Sequence, residues 1–245
     1  MVAATTCLIL CTAGSFWADA HTDYFAAYRD ARDSKKMLLI DIASGFDFNQ
    51  VSEKTLSSHV LCRVPADYSI ESEGTSKKLL DFPAFKALNG EPGLIVVDFR
   101  NKGTMFRTVS VLPRRHLSKH SVETLLTLPA GTLTQRTLVW AFRVRPEQPR
   151  GVFGQADATL MSHASNHSQT QASYNSMHHA GSFPGSFEIV AQSWSQSSIV
   201  DAAKDLVALW ASSPAHWGAA CTGWSGFGCD MKSNGSGWYG TGVFR

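Results

Sequence analysis

The residue content of this 245-residue chain changes near its middle. Up to about Arg150, aliphatic runs alternate with charged residues, whereas from about Ala156 onward Ser, Gly, His, Asn and Trp dominate and Lys and Arg become scarce. A domain usually takes about 100–200 residues, so the length by itself permits one domain or two. The change in composition favours two.

The first residues of the chain are apolar and small, with the densest run at 7–11. This segment is too short to span a bilayer as a helix, and its position is typical of a secretory signal. We therefore predict a signal peptide over residues 1–16 and a secreted or periplasmic protein, although the usual positive charge is missing. Every later apolar run is also too short for a transmembrane segment, and peripheral membrane association stays open.

The net charge of +2 gives little reason to expect nucleic acid as a partner. Arginines gather near the middle of the chain, at Arg136, Arg143, Arg145 and Arg150. No aromatic residues are interleaved with them in a nucleic-acid-binding pattern, so we interpret them as a solvated helix face followed by a proline-rich turn. The expected partner is instead a ligand or protein whose identity the sequence does not give.

Three cysteines remain once the signal segment is set aside. Cys62 lies in an alternating, strand-like run and is predicted to be a buried thiol. Cys221 and Cys229 flank a glycine-rich turn, where a disulfide would close a hairpin. The alternative, two unpaired small hydrophobic residues, is also open.

The first half of the chain predicts an α/β order of elements. Apolar residues fall at helical spacing over 23–36, and a buried strand follows at 37–42. The next predicted elements are a strand at 60–65, a helix around 77–88, a strand at 93–98, a turn at 101–103 and a strand at 106–111. Alternation of this kind is typical of a small α/β domain.

This order resembles the thioredoxin-like fold over about residues 17–130. The matching features are Trp17 ahead of the first helix, Asp41 in the central strand and Pro92 directly before the third strand. The resemblance implies a cis peptide bond at Pro92, which is otherwise a minority state.

The redox motif of that family is absent. Its Cys-x-x-Cys should follow the first strand, but Asp47 and Gln50 occupy the two positions. Because thiol–disulfide exchange requires a thiolate and a resolving thiol, we predict a redox-inactive domain used for binding or as a structural partner. Asp47 itself is interpreted as a helix cap.

The second half predicts helices at 137–144, 160–172 and 198–210, the last of which is strongly amphipathic and ends at a proline. Strands follow over 226–244 around a turn at 233–237. Together with the segments 179–182, 187–191 and 213–216, these elements resemble, in order and spacing, the CAP superfamily of cysteine-rich secretory, antigen-5 and pathogenesis-related proteins over about residues 132–245. The resemblance implies an α-β-α sandwich with a central cleft.

In that cleft the resemblance places His179 (or its neighbour His178), Glu188 and His216, and some members of the family bind zinc there. Two imidazoles and one carboxylate are also a plausible open site for a divalent metal on chemical grounds. Two departures weaken the expectation of tight binding. No second acid stands at the end of the helix at 200–210, and Ile189 replaces the family's asparagine.

The favoured function is therefore a secreted, non-catalytic binding protein, and its cleft is open to two interpretations: a site for a divalent cation such as zinc, or a solvent-lined structural cleft without a metal. The alternative is a metal-dependent hydrolase with Glu188 as general base. We interpret His163 and His167 as packed or surface residues rather than ligands, and Trp217 and Trp238 as core residues. Ser225 lacks the glycine spacing of a nucleophile elbow.

Overall fold

The computed structural model describes residues 20–72, 75–100, 108–181, 185–194 and 198–245. The predicted signal peptide at 1–16, Trp17 and the predicted turn at 101–103 lie outside these ranges. The helices are α1 Tyr24–Ser34, α2 Glu53–Leu56, α3 Lys119–Leu126, α4 Leu133–Arg143, α5 Ala158–Tyr174, α6 Ile199–Ala211 and α7 Pro214–Cys221. The strands are β1 Met37–Ile42, β2 His59–Val64, β3 Ser69–Ser72, β4 Thr75–Lys78, β5 Gly93–Asp98, β6 Thr108–Pro113, β7 Gln155–Ala156, β8 Phe187–Ser193, β9 Gly226–Ser233 and β10 Trp238–Phe244. Helices and strands of this mixture make an α/β fold, as predicted.

The first half of the chain is built on a four-stranded sheet in the order β2-β1-β5-β6. β1 runs parallel to β2 and antiparallel to β5, and β5 and β6 form an antiparallel pair. All six residues of β1 are buried, which is why this strand is a continuous run of apolar residues interrupted by Asp41 alone.

Two predictions for this half are wrong. Residues 77–88 do not form a helix, because Lys77 and Lys78 pair with Ile70 and Ser69 in the β3–β4 hairpin, and only short 3-10 turns follow at Leu79–Asp81 and Lys86–Leu88. No peptide bond in the described ranges is cis, so the bond preceding Pro92 is trans. The trans form is the lower in energy for most X–Pro bonds.

The second half is built on a sheet in the order β7-β9-β10-β8. α5 lies against one face of this sheet, where Leu160 and Ala164 pack on Val243 of β10. α6 lies against the other face, and Gly240 of β10 allows Leu206 and Trp210 to approach the strand closely. The sheet is therefore enclosed between helices, which bury both of its faces.

The two halves share one hydrophobic core, and a buried ion pair joins them. Arg136 of α4 is 1% exposed, and its Nη1 lies 3.1 Å from Oδ2 of Asp98 at the end of β5. The Arg136 Nε also donates a hydrogen bond to Ser110 of β6. The interpretation of Arg136 as part of a solvated helix face is wrong, because the paired carboxylate allows α4 to turn this arginine toward the first sheet.

The described cysteines are all free. Cys62 is fully buried as predicted, and burial raises the pKa of its thiol to about 12. Cys229 is buried within β9, whereas Cys221 lies at the end of α7, and no disulfide joins them. Among the described residues, no helix is both long and apolar enough to cross a membrane.

The stability of the first half should depend on pH through His59. Its side chain is 4% exposed, and burial lowers its pKa from 6.5 to about 4. The unfolded chain therefore binds a proton that the folded protein excludes, so the stabilisation is complete above the unfolded pKa and is lost as the pH falls toward the folded one. We expect the free energy of unfolding to fall by about 2 kcal/mol between pH 7 and pH 4.5 from this group. Urea unfolding at both pH values should show a smaller fall in His59→Leu, and an identical fall would contradict the assignment.

Candidate functional site

Glu188 is the centre of the candidate site. It is the second residue of β8, opposite Val243 of β10, and its side chain is only 10% exposed. Its Oε1 accepts a hydrogen bond of 2.9 Å from the backbone N–H of Ala180 and lies 3.1 Å from Nδ1 of His179. The loop after α5 therefore folds back onto the strand, and the carboxylate orients the His179 ring.

Two further histidines approach the same carboxylate from α5. His163 Nε2 lies 3.4 Å from Glu188 Oε2, and His167 Nε2 lies 3.8 Å from Oε1. Residues four apart share one face of a helix, which explains why both rings reach β8. The sequence pattern predicts packed or surface residues rather than ligands at these positions, and their i, i+4 spacing places them on one face of α5 without indicating which element that face meets.

His167 also fixes the loop that carries His179. Its Nε2 lies 2.7 Å from the backbone carbonyl oxygen of His178, so this nitrogen is already hydrogen-bonded to the loop. The His178 ring lies edge-on to the His167 ring at 5.1 Å, and its Nδ1 is 3.0 Å from the Ser176 carbonyl oxygen. His179, rather than His178, is therefore the neighbour of Glu188.

His216 faces this cluster from α7. The segment 213–216 begins this helix, with Pro214 as its first residue, a position that the fixed φ angle of proline favours. The His216 ring is 6.0 Å from the His179 ring, measured between centroids. Burial, and then the charge of His179, lower the pKa of His216, so its imidazole is neutral at neutral pH.

Known proteins offer no guide to this arrangement. Comparisons of the chain with protein families, curated proteins and solved structures found no match. The chemistry of the site must therefore be argued from its own geometry.

The donor types suit a divalent cation, and their positions suit it in part. Two ligand atoms on one tetrahedral zinc ion lie about 3.4 Å apart. The 3.1 Å between His179 Nδ1 and Glu188 Oε1 is close to that spacing, and the His216 ring centroid lies 6.0 Å from the His179 ring centroid. Over the described ranges, no group of three or more His, Cys, Asp or Glu side chains is arranged to hold a metal ion.

A cleft of about 530 Å³ lies at the end of β1, and its lining includes Asp47, one of the two residues at the positions where the resemblance would place cysteines. Asp47 caps the 3-10 turn Phe48–Gln50 by accepting a hydrogen bond of 3.0 Å from the Asn49 backbone N–H, as interpreted from the sequence. Asp41, also in the cleft wall, lies 3.2 Å from Arg63 and accepts a hydrogen bond from the Ser44 backbone. Both acids therefore have structural hydrogen-bonding partners.

Proposed function

We propose that this chain is a secreted, non-catalytic binding protein, whose CAP-like second half binds a divalent cation at His179, Glu188 and His216. The observation that carries the proposal is the convergence of His163, His179 and Glu188, with the neutral His216 ring 6.0 Å from the His179 ring. A largely buried carboxylate surrounded by imidazoles is a composition that zinc sites share.

The fold of the second half supports the CAP-like assignment. Its sheet lies between α5 on one face and α6 on the other, which is the layering that the resemblance implies. The three proposed ligands come from the loop after α5, from β8 and from the start of α7, in that order along the chain.

The first half is proposed to be a thioredoxin-like module without redox chemistry. The sheet order β2-β1-β5-β6, with one parallel pair and a closing hairpin, supports that assignment. Asp47 and Gln50 stand where the two cysteines would be needed, and the role left to the module is binding or structural support.

Two histidines of α5 would hold the proposed ligands in position without binding the cation themselves. His163 lies against the Glu188 oxygen that His179 does not contact, so it would orient the carboxylate. His167 would hold the 178–179 loop through its bond to the His178 carbonyl. Replacement of a residue in such a supporting position commonly lowers metal affinity by about 10–100-fold.

The hydrolase alternative has less support. Its general base would be Glu188, whose Oε1 already accepts a hydrogen bond from Ala180 and contacts His179. A carboxylate that served as the base would also leave only two imidazoles, His179 and His216, to hold the ion. Open catalytic zinc sites usually have three protein ligands.

Zinc titration of metal-free protein by calorimetry tests the proposal. The wild-type chain should bind one ion, and Glu188→Gln should weaken binding by at least about tenfold, because loss of a direct ligand costs no less than loss of a supporting residue. His216→Ala should weaken binding to a similar extent.

His120→Ala is the matched control, because His120 is an exposed histidine on α3 whose ring bonds only to the Arg143 carbonyl among the described residues. It should bind zinc like the wild type. Equal affinity in the wild type, Glu188→Gln and His216→Ala would overturn the cation site.

A further inference from the structure

A cavity of about 440 Å³ lies where the two halves of the chain meet. Glu188 is not among the residues that line it. The segment from Arg115 into α3 forms one wall, the end of α4 forms another, and Lys204 of α6 closes it. Pockets of roughly 300–1,000 Å³ are the usual size for small-molecule ligands.

The charged residues that line the cavity are all basic. Arg115, Arg145 and Lys204 line the cavity, and neither aspartate nor glutamate does. Arg115 pairs with the carboxylates of Glu91 and Asp201, neither of which lines the cavity. The cavity therefore presents cations to whatever enters it.

Lys204 is the cation whose charge is not offset. Arg145 pairs with Glu147 at 2.6 Å, but no carboxylate oxygen lies within ion-pair distance of the Lys204 ammonium in the described part of the chain. Its hydrogen-bond neighbour is Nδ1 of His116, at 3.5 Å. An anion in the cavity would supply the missing opposite charge.

His116 lies beside that lysine, with its Nδ1 3.5 Å from the Lys204 ammonium. Its Nε2 lies 2.9 Å from Asp201 Oδ1, so the proton on this nitrogen is directed to the carboxylate and Nδ1 presents a lone pair toward Lys204. Burial lowers the pKa of His116, and the charge of Lys204 lowers it further. The neutral imidazole is therefore placed to accept a hydrogen bond from the Lys204 ammonium.

Apart from Ser118 and Ser121, the remainder of the cavity is apolar. Leu117, Ala141, Val144 and Pro146 line it, together with the edge of Trp140. Trp140 is held by a hydrogen bond of 3.1 Å from its indole Nε1 to the Ser121 carbonyl, so this wall is fixed in position. This apolar wall accommodates a hydrocarbon or aromatic group. An inorganic ion bound at Lys204 would make no favourable contact with it.

We propose that this cavity binds a small organic anion, with its acidic group at Lys204 and its apolar or aromatic body against the α4 wall. The walls come from both halves of the chain, so a bound ligand would contact the thioredoxin-like and the CAP-like regions together. The site is independent of the Glu188 cluster and of any cation bound there.

Phenyl phosphate is a suitable probe, because it combines an anion with an aromatic ring of a size that the cavity can hold. In calorimetric titrations at low salt, the wild-type protein should bind one molecule. Inorganic phosphate and benzyl alcohol, which each lack one of the two features, should bind at least tenfold more weakly.

Lys204→Met should reduce the affinity for phenyl phosphate by at least tenfold. Lys54→Met, at an exposed lysine on α2 far along the chain from the cavity, should leave it unchanged. Both lysines are exposed, so neither change should prevent folding. Wild-type affinity in Lys204→Met, or equal binding of benzyl alcohol and phenyl phosphate, would overturn the proposal.

Discussion

Replacing Arg136 with methionine is expected to lower the free energy of unfolding by about 3–5 kcal/mol, because removal of one partner leaves an uncompensated charge in the interior. Asp98 is fully buried, and its Oδ2 lies 3.1 Å from Arg136 Nη1. Burial alone would raise the pKa of Asp98, but the bonds from Arg100 and the charges of Arg100 and Arg136 hold it below its usual value. Urea unfolding at neutral pH measures the change.

Arg100 provides the control for this prediction. It binds the same carboxylate, with Nη2 2.8 Å from Asp98 Oδ2, but its side chain is 40% exposed. A solvated arginine can be replaced at a cost nearer about 1 kcal/mol. Equal losses in Arg100→Met and Arg136→Met would show that the burial of Arg136 is not what makes its pair important.

Replacing Gly228 with alanine is expected to destabilise the second half by about 3 kcal/mol or more, because a rigid backbone would have to move to admit one methyl group. Gly228 lies in β9 where α5 crosses the sheet. A Cβ there would overlap the backbone atoms of Leu160 and Met161. Thermal and urea unfolding should both record the loss.

Gly218 is the matched position for the same substitution. It lies inside α7, and an added Cβ would meet nothing within 4 Å. Alanine there should raise stability by about 0.5–1 kcal/mol, since glycine inside a helix is unfavourable. Similar effects of Gly218→Ala and Gly228→Ala would contradict the close approach of α5 to β9.

Local sequence patterns predicted the elements that depend on local physics. The run at 93–98 is a strand with the predicted bounds, and α6 spans Ile199–Ala211 against a predicted 198–210. Both are strongly patterned, the first as a buried apolar run and the second as an amphipathic helix. The predicted helix at 77–88 failed because pairing between β3 and β4, a contact outside the local pattern, decides its conformation.

The candidate site was predicted in part for the same reason. His179 and Glu188 are near in sequence, and a short loop brings them together. His163 reaches Glu188 only because α5 lies along the sheet, which spacing along the chain does not reveal. The prediction for Arg136 was wrong because a charged residue on a helix is usually solvated. Its partner Asp98 lies 38 positions earlier in the chain, so the local sequence does not indicate the ion pair.

The Asp98–Arg136 pair also bears on how the two halves change over evolutionary time. Arg136 of the second half is neutralised by Asp98 of the first, so the first half cannot be exchanged for an unrelated domain without leaving an uncompensated charge in the interior. Replacement of both residues by apolar ones is often tolerated where replacement of one is not. The short connection between α3 and α4 therefore resembles a module boundary along the chain, while in three dimensions the halves are obliged to diverge together.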